Sequence, residues 1–243
     1  MKNIAKKKLA IFDIDGTIFR SSLLIQLIEG LVSAGIFPRQ AQKEVARDYL
    51  AWLNRRGSYE NYLKQVIDIH LKYLAGAWEK DVLKVTREVV AFQKDRVYRY
   101  TRRLIGILKK QNFFLLAISG SPVYIVEKFA GQLGFDAFYG TIYEVSAGRF
   151  TGKRLNADSF ADKKTVIKNF IAEKKLDVDL KKSVAVGDTE SDISMLSLVG
   201  QPIAFNPNRV LADHARKRGW KIVVERKDMI YSLEDFKIEK LLR

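Results

Sequence analysis

Three short apolar runs, each closing on small or acidic residues, constrain this chain more than any other feature of it. Leu9-Ala10-Ile11-Phe12 stops in Asp13-Ile14-Asp15-Gly16-Thr17. Phe113 to Ile118 stops in Ser119-Gly120-Ser121-Pro122, and Ser183 to Val186 in Gly187-Asp188-Thr189-Glu190-Ser191-Asp192. A short apolar run bounded by a turn signal reads as a buried strand, and Asp-Gly just beyond it marks where the chain must turn. In open α/β sheets ligands sit in the crevice outside the carboxyl ends of the strands. With the three strands side by side, Asp13, Asp15, Ser119, Asp188 and Asp192 share one rim. Two acids alone could equally cap a helix or make a turn; three such strand ends favour a site.

The rest of the chain sorts into two patterns. From Ser21 to Asp95 there is no convincing strand. Ser21 and Ser22 can cap a helix over 23–34 that Gly35 stops, and Pro38 opens a second that ends near Gly57. Ser58 starts a third, with Tyr62, Val66, Ile69 and Tyr73 at helical spacing, and 78–92 supplies a fourth. Their apolar stripes fit the inside of a small helical bundle better than a cofactor pocket. From Tyr100 helix and strand alternate. Helices are expected over 100–111, 123–133, 161–175, 192–198 and 208–218, and strands over 113–118, 183–186, 202–205 and 221–224. A strand pair over 137–152 turns at Ala147-Gly148, and the tail from Asp228 reads as mixed and loosely held. Such alternation implies a parallel, Rossmann-like sheet with helices on both faces. The expected class is therefore α/β, with 1–20 and 96–243 as the core and an all-helical insertion over 21–95.

The order of the motifs resembles the haloacid dehalogenase-like superfamily, in its phosphoserine-phosphatase-like IB branch. Asp-x-Asp-Gly-Thr at 13–17, Ser-Gly-Ser at 119–121, a lysine near 163 and Gly-Asp-x-x-x-Asp at 187–192 fit its four motifs in sequence. An EF-hand loop also begins with spaced acids, but it needs a longer acidic alternation and a closing Glu. The resemblance implies that 21–95 is a C1-type cap, a lid that closes over substrate and excludes water. It implies Asp13 as nucleophile, giving an aspartyl-phosphate, and Asp15 as general acid and base. Phosphate would be held by Ser119, Gly120 and Lys163. Mg²⁺ would be held by Asp13, the backbone carbonyl of Asp15 and Asp188, with Asp192 beside them. Lys164 competes for the lysine role; the phase of Val166, Ile167, Phe170 and Ile171 favours Lys163. Phosphoserine phosphatase itself carries a Glu after the first motif and an Arg in the cap, where this chain has Ser22 and Val66.

Composition narrows the reading further. There is no cysteine, which excludes disulfides and thiolate chemistry. Met1 to Lys8 is basic, but Asp13 interrupts the apolar segment too soon for a signal peptide, and no run approaches a bilayer span. A cytoplasmic protein is expected. The net charge is +15, densest over 96–110, where Arg96, Arg99, Arg102, Arg103, Lys109 and Lys110 interleave with Tyr98 and Tyr100. That patch fits a solvated helix face; RNA or an anionic surface is the other reading. His70 and His214 have no partner at metal-ligand spacing and are read as surface or interface residues. The leading function is a Mg²⁺-dependent phosphomonoesterase acting on a small phosphorylated metabolite. The alternatives are phosphotransfer to an alcohol acceptor and a non-catalytic scaffold that binds through the basic patch.

Overall fold

The computed structural model describes residues 6–156 and 162–233. Its contacts divide the chain into two units, one made of Met1–Ile18, Tyr98–Leu116 and Asp162–Arg243, the other of Phe19–Val97 and Ala117–Ala161. The division differs from the expected one, because 117–161 group with the inserted helices rather than with the sheet of the core.

The first unit is built on β1 (Leu9–Phe12), whose four residues are fully buried. It runs parallel to β6 (Val184–Gly187), with Ala10 opposite Val184 and Phe12 opposite Val186. β7 (Gln201–Phe205) and β8 (Lys221–Arg226) continue the parallel sheet, and β9 (Met229–Leu233) closes it antiparallel to β8. β2 (Phe114–Pro122) begins on the other side of β1, where Phe114 N donates to Lys8 O at 2.8 Å. The strand order in this unit is therefore β2-β1-β6-β7-β8-β9. α5 (Arg99–Lys110), α7 (Lys163–Glu173), the single-turn α8 (Ile193–Leu196) and α9 (Arg209–Arg218) connect the strands. Continuous apolar runs such as 9–12 and 184–186 can form interior strands only where both faces are covered.

β9 is a departure from the expected loose tail. Lys227 takes a left-handed conformation (φ 55°), which turns the chain in a tight hairpin, and Glu225 then pairs with Ile230 and Val223 with Ser232. The residues after 233 lie outside those described. The helix expected over 192–198 is also shorter, a one-turn 3-10 helix at Glu190–Asp192 preceding α8; Asp192 is committed to a cap at this point.

In the second unit α1 (Leu23–Ser33), α2 (Arg39–Leu53), α3 (Tyr59–Leu74) and α4 (Glu79–Gln93) form a helical bundle. Gly30 lets α1 approach α4, since a Cβ there would stand 2.5 Å from Val89 Cγ2. α4 also packs on α6 (Val123–Leu133), and α3 packs on β5 (Arg149–Arg154). These contacts are why 117–161 join the bundle. The single strand pair expected over 137–152 is three strands, β3 (Ala137–Thr141), β4 (Tyr143–Ser146) and β5, with Ala147 (φ 49°) and Gly148 (φ 74°) as the left-handed hairpin turn between the last two. No helix among the described residues is long and apolar enough to cross a membrane.

Candidate active site

β1 and β6 are adjacent and parallel, so the residues that follow them emerge side by side at the carboxyl edge. Asp13 N donates to Val186 O at 3.0 Å, which fixes the first residue beyond β1 against the end of β6. Asp188 is the first residue beyond β6. The backbone then turns over Asp15 and Gly16, with Thr17 N and Ile18 N both donating to Ile14 O (3.2 and 2.9 Å). Gly16 is left-handed (φ 84°), and a Cβ on it would collide with the Asp188 carboxylate. Only glycine fits there, for both reasons. Thr17 Oγ1 donates to Asp188 Oδ1 at 3.1 Å, so the same turn orients the second strand's acid.

Asp192 organises the other wall. Its Oδ2 accepts from Asp188 N (2.9 Å) and Thr189 N (3.1 Å), and its Oδ1 lies 2.6 Å from Lys163 Nζ. A Cβ on Gly187 would stand 2.5 Å from the Asp192 side chain, which explains the glycine that ends β6. Lys163 is the first residue of α7, whose N-cap Asp162 accepts from Lys164 N. Its ammonium bridges Asp13 Oδ1 and Asp192 Oδ1, each at 2.6 Å. The neighbouring Lys164 makes no such contact to either acid among the described bonds, and its backbone serves the cap.

Asp13, Asp188 and Asp192 bring carboxylate oxygens within 4.8 Å of one another. Burial pushes the Asp13 carboxyl up to about 7, and Asp192 and Asp15 push the same way while Lys163 opposes them. Burial likewise raises Asp188 well above the usual carboxylate range, with Asp13 and Asp192 adding to it. Burial works against a charge on Lys163, but Asp13 and Asp192 outweigh it and hold the ammonium protonated. One ammonium cannot offset three carboxylates packed this closely, so two of them are driven toward the protonated form, and hard oxygen donors are gathered at cation-binding spacing. That set fits Mg²⁺ or a similar hard divalent ion. Asp15, half-buried at the turn, is outside the triad.

Ser119 and Gly120 belong to the second unit, on the far part of β2. Ser119 is fully buried and its Oγ accepts from Ser121 N (2.9 Å); Gly120 O accepts from Thr141 Oγ1 (2.7 Å). His70 corrects the expectation of a surface residue. It is fully buried, 3.3 Å from Tyr124 Oη through Nε2 and edge-on to Tyr143, and burial pushes it down to about 3. The tyrosines of the 96–110 patch are half-buried: Tyr98 meets Phe205 edge-on (5.0 Å) and Tyr100 stacks on it (5.6 Å).

Two supporting residues escaped the sequence reading. Asn208 N donates to Asp188 O (2.9 Å), its Oδ1 caps α9, and its side chain reaches Glu190. Glu225 accepts from Arg99 N (3.0 Å) and Tyr100 N (2.8 Å), holding the start of α5. The Asn-Pro-Asn sequence before α9 is a recognisable cap signal; Glu225, a strand residue, carries none.

Comparison with known proteins agrees with this fold. The haloacid dehalogenase-like hydrolase family matches residues 10–197. A phosphoserine phosphatase of Mycobacterium tuberculosis is 27% identical over 224 residues, 88% of this chain and 69% of that one. A histidinol-phosphatase of Neisseria meningitidis is 27% identical over 228 residues, 89% and 98% of the two chains. A Bordetella pertussis protein of unknown function superposes with a TM-score of 0.74 at 20% identity, covering 90% of this chain and 98% of its own. A phospho-aspartyl intermediate analogue of phosphoserine phosphatase superposes with 0.60 at 22%, covering 92% and 96%. The chain belongs to the haloacid dehalogenase-like hydrolase family.

Proposed function

We propose that this protein is a Mg²⁺-dependent phosphomonoesterase that transfers the phosphoryl group of a small metabolite to Asp13 and then to water. The observation that carries the reading is the buried carboxylate of Asp13, paired with Lys163 at 2.6 Å and within 4.8 Å of Asp188 and Asp192. A phosphate monoester is already anionic, so a carboxylate can attack it only where positive charge offsets both partners. Lys163 supplies one cation. Asp13, Asp188 and the backbone carbonyl of Asp15 would hold Mg²⁺, with Asp192 positioning Asp188 through its backbone N–H. When bound, the metal supplies charge neutralisation at the reacting phosphoryl oxygen.

Asp13 attacks phosphorus and the ester oxygen leaves as an alkoxide that takes its proton from Asp15. Asp15 then accepts a proton from water, which attacks the same phosphorus and releases inorganic phosphate with Asp13 restored. Ser119 and the Gly120 amide, assigned on their motif, hold phosphoryl oxygens. The helical insertion over 21–95 serves as the cap domain that selects substrate. Within it Val66 is fully buried and Ser22 is buried, and neither offers a charge for an amino acid's carboxylate or ammonium. Phosphoserine is therefore not the preferred substrate.

The test is a panel of phosphorylated metabolites, phosphoserine and p-nitrophenyl phosphate, assayed with Mg²⁺ and with excess EDTA. Hydrolysis that needs the metal, with phosphoserine below other members in kcat/KM, is expected. Undiminished turnover in EDTA would overturn the metal assignment, and a phosphoserine optimum would overturn the substrate inference.

A further inference from the structure

The acid cluster of the first unit occupies the carboxyl ends of its strands; the opposite ends carry most of the chain's net positive charge. α5 closes on Lys109 and Lys110, and Lys174 and Lys175 follow α7. Lys181 and Lys182 precede β6, and Lys6, Lys7 and Lys8 lead into β1. α9 ends in Arg216-Lys217-Arg218, and Lys221 opens β8. Backbone hydrogen bonds set these segments in one row. Lys7 N donates to Asp177 O and Phe114 N to Lys8 O, both at 2.8 Å; Gly200 N donates to Leu180 O at 2.9 Å; Lys221 pairs in register with Ile203. Among the described residues, thirteen Lys and Arg stand on this edge against Glu173, Asp177 and Asp179, an excess of ten within a net charge of +15.

The fold accounts for part of this. A cation in a helix's last turn is favoured by the dipole, which covers the ends of α5 and α9. It does not cover Lys6 to Lys8, which precede a strand, or Lys181 and Lys182 in a single 3-10 turn. Like charges crowded on one edge repel one another and oppose compaction, so their accumulation calls for an anionic partner. Eleven of the thirteen are lysine, a hydrated point charge suited to a diffuse field; arginine's fork suits bidentate reading of a phosphate. Among the described residues the edge also lacks an exposed ring for base stacking. Phe113 is buried beneath Lys8 Nζ (4.3 Å), and Trp220 is half-buried against His214 (4.9 Å).

We propose that the amino-terminal edge of this sheet docks the protein on an anionic lipid surface. Lys8 and Asp13 are five residue steps apart, about 17 Å of extended strand, and the Debye length at physiological salt is about 8 Å. The docked enzyme therefore keeps its acid cluster on the side away from the lipid, and its turnover of a soluble ester is independent of docking.

The full chain is to be floated with phosphatidylcholine vesicles, with or without about 30% phosphatidylglycerol, at about 0.1 M and about 0.5 M NaCl. Binding is expected only with phosphatidylglycerol and only at the lower salt. The Lys110→Gln/Lys174→Gln/Lys181→Gln/Lys217→Gln variant should bind at least about a hundredfold more weakly, with unchanged circular dichroism and p-nitrophenyl phosphate turnover. Removing four cations elsewhere, Arg39→Gln/Lys43→Gln/Arg55→Gln/Arg56→Gln, should leave binding intact. The proposal is overturned by absent binding at low salt, by equal loss in both variants, or by an RNA duplex that displaces the vesicles at lower concentration than phosphatidylglycerol itself.

Discussion

Replacing Lys163 by Met removes the ammonium that touches both Asp13 and Asp192 while keeping a side chain of similar length. The two 2.6 Å bonds are almost wholly screened from water. Breaking a buried ion pair from one side costs about 3–5 kcal/mol, because the remaining charges are stranded. For a chain of this size that lowers Tm by about 6–20 °C. The cost depends on pH in a direction the site fixes. Asp13's folded pKa is raised to about 7, so the folded state binds its proton more tightly than the unfolded chain does, and stability falls as pH rises from the ordinary carboxylate range through 7. Without Lys163 the folded pKa rises further, so the wild-type and variant curves separate mainly above pH 7. Urea unfolding in EDTA should show the smallest cost near pH 5.5 and the full cost near pH 8.5. Lys164→Met should stay within about 0.5 kcal/mol. A cost below about 1 kcal/mol, a cost flat in pH, or a larger effect at Lys164 would refute the argument.

The remaining consequences concern backbone and a buried ring. Gly16→Ala places a Cβ in a left-handed position and against the Asp188 carboxylate; stability should drop by about 2 kcal/mol or more and kcat by at least about a hundredfold, and a variant of near wild-type rate would show that the turn yields freely. His70, held neutral by burial with a pKa pushed down to about 3, binds a proton only when unfolded between that value and its ordinary one. Its contribution is thus complete above pH 6.5 and lost on acidification. Relative to His70→Phe, the wild type should lose about 1.4 kcal/mol per pH unit below 6.5; denaturation curves whose difference is flat from pH 6.5 to 5 would mean the ring is charged or hydrated in the fold.

How far the sequence reached follows from where each signal is local. α6 was legible to the residue because Pro122 opens it and the left-handed Gly134 closes it. The acids at 13, 188 and 192, which the structure gathers within 4.8 Å, follow apolar runs that announce them. The choice between Lys163 and Lys164 rested on helical phase alone, and it is Lys163 that points at Asp13 and Asp192. The sequence expectation fails at His70, although His70 shares one face of α3 with Val66, Ile69 and Tyr73, of which the first two are buried and Tyr73 half-buried. The pattern was present, and a polar residue within it was discounted. β9 had no apolar alternation to announce it, and its pairing depends on the edge that β8 offers. The grouping of 117–161 with the helices is a matter of tertiary contacts such as Trp78 beneath the Arg149 guanidinium (3.6 Å), which no local pattern encodes. The six cations of 96–110 were contiguous in sequence only: Arg99 and Lys110 lie at opposite ends of α5, about 16 Å apart, and the second of them belongs with the strand-edge lysines.

The central claim is the division of labour between Asp13 and Asp15, and pre-steady-state hydrolysis of p-nitrophenyl phosphate tests it most directly. An aryl leaving group departs without a proton, so Asp15→Asn should still phosphorylate Asp13 and then stall for want of a base to activate water. The expected record is a burst of about one p-nitrophenol per active site followed by slow turnover. Asp13→Asn should give no burst and no phosphoenzyme. A burst from Asp13→Asn and none from Asp15→Asn would exchange the two roles, and full turnover in both variants would contradict the phosphatase reading itself.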